Sequence, residues 1–131
     1  MKTHGEKAAS RLLRQENDDE KRTILWFDPF LEALVGQELQ AAGNTILGSQ
    51  VGVQTSQGLR YIDHLIQTPA GEIFAVEVKS GGALYNNAGQ IAKDVALEME
   101  GGTFTGSGGL LPEQIEDLLG KPISTIVVHV P

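Results

Sequence analysis

The chain has no cysteine among its 131 residues, which excludes disulfides and any thiolate metal site. Aromatic residues make up only 5%, so a core must be built from Leu, Ile, Val and Ala. No apolar run approaches the roughly 20 residues that a membrane-crossing helix needs. No apolar segment follows the charged N-terminus as it would in a signal peptide. Positive charge is scarce too: 10 Lys and Arg against 17 Asp and Glu leave a net charge of −7. A nucleic-acid binder usually carries a basic footprint. The acidic balance therefore argues against one, unless the excess lies away from the site or bound cations cancel it. Part of the excess does lie elsewhere, at Glu16, Asp18, Asp19 and Glu20. A hydrophobic content of 40% over this length supports one domain with a real core.

Residues 1–22 are highly charged and read as a tail or linker, leaving 23–131 as the folded domain. Asp28 and Pro29 suit the start of a helix that Gly43 ends. Its apolar face is Leu31, Leu34, Val35, Leu39 and Ala42, with Glu38 near the middle and Glu32 at the edge. Strands are expected over 45–55, 60–67 and 72–79. A second helix is expected over 84–100, with Leu84, Ala88, Ile91, Ala92, Val95 and Met99 on one face and Asn86, Gln90 and Lys93 on the opposite one. The glycine-rich 103–109 reads as a flexible loop, and a short helix opens at Pro112. The apolar run 123–130 reads as a strand buried on both faces. That order predicts an α/β domain with a mixed central sheet flanked by helices, the helix after the third strand carrying the chain to a parallel partner.

Three polar groups interrupt the apolar strands: Asp63 on one, Glu77 and Lys79 on the next. A bare charge inside a sheet is costly unless it is paired or bound to a metal. If Pro69-Ala70-Gly71 forms a hairpin loop with Gly71 left-handed, Thr68 pairs with Glu72 and Asp63 comes level with Glu77. Two carboxylates that close repel, and a cation relieves them. Oxygen donors alone favour Mg²⁺, Mn²⁺ or Ca²⁺ over Zn²⁺. Asp63, Glu77 and the Val78 carbonyl are the candidate ligands, with Glu38 reaching in from the first helix. Lys79 is placed to hold the attacking water or stabilise developing charge. Gln90 and Lys93 are placed to hold water or a backbone phosphate.

This constellation resembles the PD-(D/E)xK nuclease superfamily: a strand with Asp63, then Glu77-Val78-Lys79, then a helix bearing Gln90 and Lys93. Ile62 stands before Asp63 where a proline is common in that superfamily. The resemblance implies a restriction-endonuclease-like fold over roughly 28–105, with Asp63 and Glu77 binding Mg²⁺ or Mn²⁺, Lys79 catalytic and Glu38 as the acid of the first helix. A narrower likeness is carried by Arg60-Tyr61-Ile62-Asp63, Val76-Glu77-Val78-Lys79-Ser80-Gly81-Gly82 and Asn86 to Asp94. These segments are similar to C-terminal toxin domains of bacterial polymorphic toxins of the contact-dependent growth-inhibition and Rhs types. That likeness implies an endonuclease of DNA, or of RNA such as tRNA, delivered as part of a larger effector. It would act in the target-cell cytoplasm and be neutralised by a cognate immunity protein. DNA is slightly favoured because the broad family is richest there.

The rival reading is a non-catalytic acidic or immunity-type module that meets a basic partner. His64 and His129 read as structural, and two separated histidines without cysteine make a poor zinc site. The loop at 101–109 lacks the Gly-Lys-Ser/Thr ending of a phosphate loop.

Overall fold

Turn chemistry builds the first three strands. In the computed structural model, which describes residues 29–131, these are β1 (Thr45–Thr55), β2 (Gly58–Gln67) and β3 (Ile73–Ser80), an antiparallel meander. At the β2–β3 turn the Thr68 N–H donates to the Glu72 carbonyl and the Gly71 N–H to the Thr68 carbonyl, both at 2.8 Å. Gly71 has φ +89°, which only glycine adopts cheaply. The loop is therefore the expected one, and so is the register: Gln67 pairs with Ile73 and His64 with Val76. The 1–22 tail and the Asp28 cap lie outside the described residues.

Among the described residues, three helices pack on a five-stranded mixed sheet ordered β4-β1-β2-β3-β5. They are α1 (Pro29–Ala41), α2 (Ala88–Glu100) and α3 (Pro112–Leu118). The last strand, β5 (Ser124–Val130), lies parallel to β3, as the intervening helix predicted. It is an edge strand, however, and half-exposed rather than buried on both faces. An apolar run records the side that packs and is blind to whether another strand follows. The main core gathers Val51, Val53, Ile62, Leu65, Leu97 and Leu118, and burying each such side chain fully contributes about 1.5–3 kcal/mol.

Two expectations about helices and loops change. The second helix starts at Ala88, because Gly81-Gly82 form a turn and Asn87 is extended, its Oδ1 capping the Gln90 N–H at 2.8 Å. The glycine-rich stretch begins as a short strand, β4 (Thr103–Phe104), paired with β1. The following loop is anchored: Ser49 N–H donates to the Gly108 carbonyl at 3.1 Å and Gly52 N–H to Ser107 Oγ at 2.8 Å. Glycines here permit close approach of loop to strand, which composition alone reads as flexibility.

Gly101 closes α2 with φ +77°, and a Cβ there would lie 2.4 Å from the Gly120 carbonyl carbon. Backbone cannot yield as a side chain does, and the left-handed φ adds strain. Gly101→Ala is expected to cost more than ~2 kcal/mol in urea unfolding. A loss below ~0.5 kcal/mol would show that the two segments part freely.

Candidate active site

Regular β2–β3 pairing ends at His64–Val76, and one further step of the same count brings Asp63 level with Glu77. By the alternation of an antiparallel ladder, the Val78 N–H should next donate to the Ile62 carbonyl. It donates instead to Asp63 Oδ2, at 2.7 Å. The carboxylate thus stands in for backbone where the two strands part, while β3 continues along β5, Glu77 beside Val127.

Asp63 Oδ1 accepts from the Gln50 amide at 3.1 Å, and the same nitrogen donates to both oxygens of Glu32, at 2.7 and 3.1 Å. Gln50 has φ +51°, an uncommon conformation for a non-glycine residue and a sign of local constraint. Burial, then the neighbouring charge of Glu77, pushes the Asp63 carboxyl up to about 7. Glu32 adds to the rise, while the Val78 N–H and Gln50 work against it.

Glu77 is only 7% exposed. Its Oε1 accepts from Arg60 Nη2 at 2.6 Å and its Oε2 meets Lys79 Nζ at 3.1 Å. Burial pushes the Glu77 carboxyl upward. The hydrogen bond and charge of Arg60, with bonds from Gln90 and Lys79, outweigh burial and hold it below its ordinary value. The two facing carboxylates are therefore split: Glu77 is ionised and paired, whereas Asp63 sits beside like charges with neutral donors as its partners.

Arg60 is itself held on three sides. Its Nε donates to Asp94 Oδ1 at 2.8 Å and its Nη1 to the Tyr61 carbonyl. Asp94 is 5% exposed and accepts the Tyr85 hydroxyl on Oδ2 at 2.5 Å. Burial, then Asp94, raises the Tyr85 hydroxyl and keeps it protonated. The buried side of α2 is not its apolar face. Asp94, Ala96 and Leu97 are buried, while Val95 and Met99, on the face that periodicity marks as apolar, are exposed, as is Leu84 before the helix. Gln90, one turn before Asp94, lies near enough to Glu77 to help hold its carboxyl low. Lys93 lines a cleft of about 330 Å³ with Leu59, Arg60, Tyr61, Asn87, Gly89 and Gln90.

Glu38 does not join this group, because it is exposed on the far half of α1. Only the half carrying Leu31, Leu34 and Val35 is packed, so the angle of Glu38 around the helix was right and its position along the axis was not. The α1 acid that reaches the site is Glu32, through Gln50. His64 is satisfied: Nε2–H donates to the Glu32 carbonyl and Nδ1 accepts from Ser49 Oγ, both at 2.8 Å. The sequence reading missed Arg60 as the partner of Glu77, and it missed Asp94, Tyr85 and Gln50. Asp94 carried a signal, four residues after Gln90 on one helix face. Gln50 carried none.

Among the described residues, no three Asp, Glu or His side chains are grouped closely enough to hold a metal by themselves. Mg²⁺ does not require such a cage, since it is commonly held by one or two carboxylates, waters and substrate phosphates. Asp63 and Glu77 fit that smaller donor set, and a cation would relieve the Glu77 charge that adds to burial in raising Asp63.

The Asp63 proton has a consequence for stability. The folded value of about 7 lies above the ordinary 3.8, so this group's contribution is full below about pH 4 and is lost as pH rises through 7. Asp63→Asn removes that dependence. The variant is expected to gain roughly 2 kcal/mol relative to the parent between pH 5 and 8. Urea unfolding of metal-free protein at both pH values checks this, and parallel profiles would refute it.

Compared with known proteins, the chain matches no protein-family model, no curated protein and no solved structure.

Proposed function

We propose that the chain is a divalent-metal-dependent nuclease. The observation that carries this reading is the Asp63–Glu77 pair at the parting of β2 and β3, with Lys79 on Glu77 and Gln90 beside it. A divalent ion on the two carboxylates would supply Lewis-acid activation of a phosphodiester. Arg60 fixes the orientation of Glu77, and the Val78 N–H fixes Asp63. Lys79 offers a positive charge to the phosphoryl oxygens or the incoming water. Lys93, in the adjoining cleft, would meet a backbone phosphate. The restriction-endonuclease-like and polymorphic-toxin resemblances support the same reading. They add the proposal of delivery into a neighbouring cell, with DNA or tRNA as substrate and a cognate immunity protein as partner.

The acidic balance of the chain favours the second reading, a non-catalytic module for a basic partner. One experiment separates them. Plasmid DNA and total tRNA are incubated side by side with the protein and Mg²⁺ or Mn²⁺, then with EDTA. Cleavage of either substrate that EDTA abolishes supports the nuclease. Intact substrates at high protein concentration with either metal overturn it.

A further inference from the structure

The two oxygens of Glu77 are held unequally. Oε1 belongs to Arg60, whose guanidinium is locked by Asp94 and the Tyr61 carbonyl, and Asp94 in turn is held by Tyr85. Moving Arg60 off Oε1 would disturb its bonds to Asp94 and the Tyr61 carbonyl as well. Oε2 belongs to Lys79, a single 3.1 Å contact from an ammonium on a flexible stem whose side chain is twice as exposed as that of Glu77, 19% against 9%. An ammonium has three rotatable donors and takes new partners readily. Oε2 is therefore the exchangeable oxygen.

We infer that Lys79 is a placeholder for the cation: it occupies Glu77 Oε2 while the site is empty and surrenders that oxygen to a divalent ion. This rests on the nuclease reading and adds regulation to it. The ammonium freed from Glu77 becomes available to phosphate only once the oxygen has changed hands, so Lys79 is engaged only in a loaded site. Arg60 stays on Oε1 throughout, as a positioning residue that keeps Glu77 from turning away. Linkage makes the effect reciprocal: whatever the contact with Lys79 contributes to Glu77 opposes uptake of the ion.

Calorimetric titration with Mn²⁺ alone, without nucleic acid, tests the inference. Lys79→Met keeps the stem and removes the competitor, so it should bind Mn²⁺ about tenfold more tightly than the parent, within the usual range of coupling between sites. Lys93→Met removes the same unit charge from the neighbouring cleft without freeing Oε2, and its affinity should stay within about twofold of the parent. Thermal unfolding of each apo variant verifies folding, and Lys79→Gln replaces Lys79→Met if the latter does not fold. Binding by Lys79→Met no tighter than the parent overturns the inference and leaves the metal site standing. Equal tightening in both Lys→Met variants also overturns it, because a general field effect would then suffice. No Mn²⁺ uptake by any form, including Lys79→Met, overturns the inference, and the metal-dependent reading is then decided by the cleavage assay with and without EDTA.

Discussion

Glu77→Gln is expected to lower divalent-dependent cleavage of plasmid or tRNA by about 10³-fold, since an anionic ligand is worth several kcal/mol at a charged transition state and 1.4 kcal/mol is one decade. The substitution is nearly isosteric, so the fold around β3 should persist. Its amide oxygen can still accept from Arg60, but its nitrogen then faces the Lys79 ammonium, donor against donor. The variant loses the negative charge that a cation requires, and Lys79 loses its resting partner. Lys79→Ala is expected to lose turnover too, by about 10²–10³-fold, because it removes one donor to developing charge. The two differ in metal uptake: Glu77→Gln should abolish it and Lys79→Ala should not. Steady-state cleavage rates with Mg²⁺, beside thermal unfolding of each variant, measure the outcome. Activity within tenfold of the parent for Glu77→Gln would remove that residue from the chemistry.

These expectations rest on a part of the molecule whose sequence was readable. Pro69-Ala70-Gly71 specifies its own turn, a turn specifies register, and register brings Asp63 level with Glu77. Lys79 follows from the period of the strand. The sequence was less readable where a position depended on something distant. Periodicity orients a helix but does not say how much of it is covered, so Glu38 was preferred to Glu32. Periodicity also assumes that the buried stripe is apolar. On α2 it is not, because Asp94 satisfies an arginine 34 positions earlier, and no local pattern announces a pairing across that interval. The exposed Val95 and Met99 are the other side of the same event: a helix that turns Asp94 inward must turn something else outward.

Arg60→Met is expected to destabilise the protein by about 3–5 kcal/mol, the usual cost of removing one member of a buried ion pair. Methionine fills much of the same volume, so the loss reports charge rather than a cavity. Two carboxylates, on Glu77 and Asp94, would be left in buried positions facing each other's charge. The pH dependence should change sign. In the parent Glu77 is held below its ordinary value, so its contribution is present above that value and is lost as pH falls through the lower, folded one. Without Arg60, burial becomes the dominant influence on Glu77 and raises it. Its contribution is then full at low pH and is lost as pH rises through the raised value. The deficit of Arg60→Met against the parent should therefore be larger at pH 8 than at pH 5 in urea unfolding. Adding Asp94→Asn to Arg60→Met removes one orphaned charge and leaves the Tyr85 hydroxyl an oxygen to donate to, so it should recover part of the loss. A deficit below ~1 kcal/mol at pH 8, or one independent of pH, would show that the guanidinium is not what keeps Glu77 ionised in the interior.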